Sequence, residues 1–223
     1  MTYHAKKTMN RLQRKKQNER IWWRCALFLF MIFPLFLFGT QPAEAADGKP
    51  TLPLGLDAAA FHIPADNLMT PEKIALGQSL FFDKRLSADN RISCASCHIP
   101  ALAFTDGQPV STGIKHQQGG RSAPTAINRG FSKVQFWDGR APTLEAQSVG
   151  PLSNPIEHGF VDNAAIVTKL NSIPGYQKTF KDVFGTKITV EAVGQAIATF
   201  QRTLLSGNSP FDRFESGKDA NAI

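Results

Sequence analysis

The sequence predicts a mainly α domain with long irregular loops, and three observations carry that prediction. Apolar residues recur at helical spacing in several separate stretches, most of them opened by a threonine, serine or aspartate suited to capping. No run alternates apolar and polar residues as a half-buried strand would. Between the first helical stretch and the others, Ile99 to Arg140 is punctuated by Gly107, Gly113, Gly119, Gly120, Gly130 and Gly139 and by Pro100, Pro109 and Pro124.

In chain order, the first element is a leader. Lys6, Lys7, Arg11, Arg14, Lys15, Lys16, Arg20 and Arg24 precede an apolar run from Cys25 to Gly39, followed by Ala43-Glu44-Ala45. A basic head, an apolar middle and a small-x-small exit are the parts of a secretory signal peptide, predicted over residues 1–45. The apolar run is about 15 residues, short of the ~20 that span a bilayer. An uncleaved anchor, with Trp22 and Trp23 at the interface, is the alternative and the only route to a membrane. Of the 25 Lys and Arg, eight fall in this leader with two of the 18 acids, which leaves 17 basic and 16 acidic residues. The net charge of +7 therefore reports the leader and gives no support for nucleic-acid binding.

Residues 46–69 hold Pro50, Pro53, Gly55 and Pro64 and read as an irregular arm. Thr70-Pro71-Glu72 starts a helix, with a hydroxyl cap, proline in the first turn and an acid near the positive end of the dipole. That helix is predicted to about Phe82, burying Ile74, Leu76, Leu80 and Phe81. In the glycine-rich segment, Phe104, Ile114, Ile127, Phe131, Phe136 and Trp137 are too apolar for a disordered stretch, so it folds over something. Further helices are predicted from Thr143 to Val149, from Asp162 or Asn163 onward, from Pro174 with Tyr176, Phe180, Val183 and Phe184 inward, and from Thr189, the longest. Ser209-Pro210 begins a last short turn. Residues 70–217 form the domain, and 218–223 read as the start of a linker.

Cys94-Ala95-Ser96-Cys97-His98 is a C-x-x-C-H motif, the attachment signal for a c-type haem. Thiols three apart lie on one side of a helical turn, where each can bond a haem vinyl group, and His98 follows as proximal iron ligand. A thioredoxin-like pair would want a βαβ context, and a zinc site a second cysteine pair, whereas the one other cysteine is Cys25. The motif predicts a cytochrome c-like haem domain with one covalent haem c, loops lying over the haem, and an oxidising compartment, the periplasm.

The second axial position decides what such a domain does. No methionine follows Met69, so a His/Met carrier is hard to build. Either the position is open, or a histidine fills it, His116 or His158. With an open haem, Glu157 is the natural acid–base group, because a carboxyl held in an apolar pocket can take a proton from peroxide and return it. Trp137 reads as an aromatic plug against the haem or as a stepping stone for electrons. Arg140 pairs with a haem propionate or with Asp138.

Taken together, the segments resemble the bacterial di-haem cytochrome c peroxidases and their MauG-type relatives. The matching pieces are Leu76-Gly77-x-x-Leu80-Phe81-Phe82-Asp83-x-Arg85-Leu86-Ser87, Cys94 to His98, Phe104-Thr105-Asp106-Gly107, Arg121-Ser122-Ala123-Pro124-Thr125, Phe136-Trp137-Asp138-Gly139-Arg140, Gln147, Gly150-Pro151, Asn154-Pro155-x-Glu157, Ala196-Ile197-x-x-Phe200 and Ser209-Pro210-Phe211-Asp212. The resemblance implies the N-terminal, peroxide-reacting haem domain of such a protein. It makes His98 the proximal ligand and Glu157 the acid–base residue, lines the distal pocket with Gln147 and Pro151, and sets Trp137 between two haems. It implies hydrogen peroxide as substrate and a small c-type cytochrome or cupredoxin as electron donor, or oxidation of a protein substrate in the MauG manner; a dimer is compatible with it.

Two positions depart from the family. Ile114 stands where members that close the distal site place a histidine, with His116 two residues on, which favours an open haem. Ser122 stands where an asparagine often helps bind calcium, so calcium is left open. A second C-x-x-C-H is absent from these 223 residues. Outside the enzyme class, the alternatives are a bis-histidine electron carrier and a haem-binding sensor.

Overall fold

The computed structural model describes residues 49–223. The predicted leader, residues 1–45, lies outside them, as do the first residues of the arm. Seven α-helices are described: α1 (Pro71–Phe82), α2 (Cys94–Cys97), α3 (Leu144–Ser153), α4 (Asn163–Asn171), α5 (Tyr176–Phe184), α6 (Val190–Gln201) and α7 (Pro210–Glu215). Short 3₁₀ turns occupy the arm and the loops, and the only β pairing among the described residues is three isolated bridges. The fold is mainly α, as predicted.

The caps are local chemistry read directly from sequence. Thr70, Thr143, Asp162, Thr189 and Ser209 each accept a hydrogen bond from an amide in the first turn of the helix they precede. Three boundaries differ from expectation. α3 continues to Ser153 rather than stopping near Val149, with Pro151 inside its last turn. A proline there removes one amide but leaves the earlier turns intact. Gly175, not Pro174, caps α5, at φ +95°. Helix α6, at 12 residues, is no longer than α1.

α6 is the axis. Ala192, Val193, Ala196, Ile197 and Phe200 are buried on it, against α1 on one side and α3 on the other. The crossings are close because they are made of glycine. A Cβ on Gly77 of α1 would overlap the Ala196 carbonyl, and one on Gly194 would come within 2.8 Å of the Glu145 carbonyl oxygen. Around them Leu80, Leu86, Leu152, Ile166, Leu170 and Phe180 are sealed from solvent, each contributing roughly 1.5–3 kcal/mol. Phe81 sits at the centre of an aromatic group with Phe82, Phe104, Phe200 and His98.

Residues 49–69 are irregular apart from a 3₁₀ turn at Ala58–Ala60, and buried polar groups pin them to the helices. Arg202 Nε donates to the His62 carbonyl at 2.9 Å, and Asn67 Nδ2 donates to Glu145 at 2.7 Å and to the Gln195 carbonyl at 3.1 Å. Lys73 Nζ closes the network on Asn67 Oδ1 at 3.1 Å. Among the described residues no helix is long and apolar enough to cross a membrane.

Candidate functional site

The C-x-x-C segment is a single helical turn. The Ser93 amide donates to Ser96 Oγ at 3.0 Å, and the His98 amide ends the turn on the Cys94 carbonyl at 2.9 Å. Cys94, Cys97 and His98 therefore share one wall of a cavity of about 590 Å³, within the range of cofactor sites. His98 Nδ1 donates to the Phe104 carbonyl at 2.9 Å, which leaves Nε2 as the nitrogen for a metal. That carbonyl is aimed by two consecutive left-handed residues, Ala103 (φ +54°) and Phe104 (φ +56°).

The thiols separate the readings of this motif. Burial pushes Cys94 up to about 12 and Cys97 up to about 11. A redox pair or a zinc site needs thiolates favoured near neutrality. Two neutral thiols beside a large, mostly apolar hollow, next to a histidine with an oriented Nε2, are the donor set for a covalent haem. The residues fit that group.

The rest of the wall comes from the glycine-rich loop and from α3 and the turn after it. Gln147, Pro151, Asn154 and Glu157 line the cavity, and so do Trp137 and Arg140. Glu157 also borders an outer cleft of about 320 Å³ shared with Phe136, Arg140 and Pro151. Asn154, capping α3, accepts from the Ile156 amide and donates Nδ2 to Glu157 Oε1 at 2.7 Å. Burial holds the Glu157 carboxyl above its ordinary value; the Arg140 charge and the Asn154 amide oppose this without cancelling it. Gly113 allows this packing. A Cβ there would overlap the Ile156 carbonyl, and the next amide, of Ile114, donates to the Glu157 carbonyl at 3.0 Å.

Three expectations change at the cavity mouth. His116 is exposed, at φ +58°, and is absent from the cavity wall, while Ile114 is buried beside it. Trp137 is no plug: it is 64 % exposed at the rim, its Nε1 donating to the Ser122 carbonyl at 3.0 Å. Arg140 pairs with Asp138 at 2.9 Å and lies 3.6 Å over the Phe136 ring, while Arg121 takes the other Asp138 oxygen at 2.7 Å. Hydrogen bonds from Arg121, then Arg140, draw Asp138 down to about 2. Among the described residues no cluster of three or more His, Cys, Asp or Glu forms a separate metal site.

Sequence reasoning gave little weight to two residues. Asn154, which orients Glu157, was visible as the first residue of Asn154-Pro155-x-Glu157. His158 was set aside for its neighbour, yet it lines the same cavity and is buried.

Residues 71–220 match the family described as di-haem cytochrome c peroxidase. The chain is 43 % identical over 162 residues to methylamine utilization protein MauG of Methylorubrum extorquens, covering 72 % of this chain and 45 % of that protein. It is 39 % identical over 183 residues to cytochrome c peroxidase Ccp of Escherichia coli, covering 82 % and 39 %. Among solved structures, a MauG-like protein associated with microbial copper homeostasis superimposes with TM-score 0.65 at 32 % identity, covering 81 % of this chain and 50 % of that one. The diheme peroxidase BthA from Burkholderia thailandensis does so with TM-score 0.60 at 27 % identity, covering 75 % and 46 %. The chain spans about half the length of the curated relatives it matches.

Proposed function

The chain belongs to the di-haem cytochrome c peroxidase family, and from that premise we propose that it is the peroxide-reacting haem domain of an exported oxidoreductase. One observation carries the reading: Cys94, Cys97 and His98 share a single cavity with Glu157, a carboxyl whose burial raises its proton affinity. Cys94 and Cys97 would hold one haem c by thioethers and His98 Nε2 would take its iron from the proximal side. When bound, the haem supplies the redox centre at which peroxide is reduced.

The chain's own groups then have distinct tasks. Glu157, held by Asn154, takes a proton from one peroxide oxygen and delivers it to the other, and its raised proton affinity suits it to both halves of the transfer. Gln147 and Pro151 shape the distal wall. The position opposite His98 is open, since His116 lies outside the cavity, and this counts against a bis-histidine carrier. Electrons arrive from a small c-type cytochrome or cupredoxin, with Trp137 at the rim on their path. The exposure of Trp137 also supports a second reading, MauG-like oxidation of a protein substrate docked at that rim. The leader and the covalent haem place the protein in the periplasm.

The test is to express the chain with a cytochrome c maturation system and mix it rapidly with hydrogen peroxide. A covalently coloured, high-spin protein that reacts with peroxide is expected, with Glu157→Gln slower by about 10²–10⁴-fold. A colourless polypeptide, or equal rates in parent and variant, overturns the reading.

A further inference from the structure

His158 is the buried histidine to which the reaction above gives no task. It is 3 % exposed, and its ring borders the cavity with His98 and Glu157. Its backbone is tied on both sides: its amide donates to the Pro151 carbonyl at 3.3 Å, and its carbonyl accepts from the Ala88 amide at 2.9 Å. Nδ1 donates to the Leu86 carbonyl at 2.5 Å. A carbonyl can only accept, so the proton sits on Nδ1 and the lone pair on Nε2. Among the described residues no hydrogen bond occupies Nε2. The arrangement repeats that of His98, whose Nδ1 donates to the Phe104 carbonyl. In both residues the backbone fixes the tautomer and leaves a basic nitrogen for the cavity.

Burial lowers the proton affinity of the His158 ring, with the Leu86 carbonyl opposing and His98 adding to the effect. The same burial raises that of Glu157. An ordinary imidazole and an ordinary carboxylate differ by about two pKa units; these neighbours are drawn toward one another, the condition for passing a proton between them.

We propose that His158 is a second proton acceptor of the distal cavity, its Nε2 taking the proton of a protic ligand such as hydrogen peroxide or hydrogen cyanide as the anion enters. The inference rests on the reading of the cavity as an open haem pocket. The H–X bond breaks and an N–H bond forms at Nε2, while X⁻ keeps the electron pair. The ring becomes an imidazolium that still donates Nδ1–H to Leu86 and now donates Nε2–H back to the anion. No electron moves in this step. With peroxide, the same nitrogen returns the proton to the departing oxygen, and the ring ends as it began.

Cyanide is the probe, because its binding reads proton acceptance without turnover. In the haem-loaded chain, His158→Met removes both the Leu86 bond and the acceptor. His158→Asn keeps a donor for Leu86 and cannot take the proton, so it separates proton acceptance from packing. Both variants are expected to raise the cyanide dissociation constant about 10- to 100-fold, the worth of one hydrogen bond to a charged group, with His158→Asn keeping the parent's thermal midpoint. Constants within twofold of the parent in both variants overturn the proposal, and so does a low-spin parent that turns high-spin in His158→Met, which makes His158 an iron ligand. Glu157→Gln distinguishes the two claims. If it leaves cyanide binding and the peroxide rate unchanged while the His158 variants weaken both, the role given to Glu157 fails and this one stands. If it alone weakens both, the reverse holds.

Discussion

Arg202, at the end of α6, donates Nη1 to Glu145 Oε1 at 2.7 Å, and Glu145 stands on α3 two residues ahead of Gln147. Gln201 repeats the link one residue earlier, donating to Ser148 Oγ at 2.9 Å. The helix that forms the cavity wall is thus fastened to the axis of the fold by buried polar bonds. Arg202 is only 2 % exposed, so the pair has been taken out of water at a cost.

Removing one partner leaves the other charge buried and unpaired. Arg202→Met is expected to cost about 3–5 kcal/mol of unfolding free energy, and Arg202→Met combined with Glu145→Gln appreciably less. Urea unfolding of the haem-loaded protein followed by far-UV circular dichroism measures both.

The acids give opposite pH signatures. Burial would raise Glu145, but the hydrogen bonds of Arg202 and Asn67 outweigh it, so its folded value lies below the unfolded one. Its stabilisation is present above the unfolded value, near 4.5, and is lost as pH falls through the folded one. Glu157 is raised, so the fold is penalised as pH climbs above 4.5. Glu157→Gln is therefore expected to raise the thermal midpoint at pH 7 and leave it unchanged at pH 4, while slowing the peroxide reaction. Thermal scans at the two pH values check the sign.

Gly113 and Gly120 lie in one loop and differ in what a methyl group would meet. At Gly113 it would overlap the backbone of Ile156 and Glu157; at Gly120 nothing lies within 4 Å. Gly113→Ala is expected to lose roughly 1–3 kcal/mol and to slow the peroxide reaction by displacing Glu157. Gly120→Ala should stay within ~0.5 kcal/mol of the parent. Chemical denaturation and peroxide kinetics on the pair form an internal control.

Trp137 is exposed and gives the fold one hydrogen bond, to Ser122. Trp137→Phe is expected to leave stability within about 1 kcal/mol and the peroxide reaction of the reduced protein unchanged. Delivery of electrons by a small donor protein should slow several-fold, as stopped-flow mixing with reduced cytochrome c would show.

Much of this was legible in the chain because its causes are local. Thr70-Pro71-Glu72 and Ser209-Pro210 announce helix starts through their own side chains. C-x-x-C-H names its cofactor because two thiols and an imidazole must fall within one turn. The misjudged residues depend on partners far away in sequence. Trp137 looked like core by its apolarity, but its indole finds the Ser122 carbonyl at the rim. His158 looked like a bystander to Glu157 because Leu86, its partner, lies 72 residues earlier.

Alone, the sequence determined that this is a mainly α, haem-attaching domain of the di-haem peroxidase family, since capping, periodicity and thiol spacing act within a few residues. Tertiary structure alone decided which groups face the cavity. Glycine crossings at Gly77, Gly113 and Gly194 set how closely backbones approach, and carbonyls at Phe104 and Leu86 set which histidine nitrogens are free. A hydrogen bond fixes a tautomer only when the fold delivers its acceptor, and no spacing along the chain encodes that delivery.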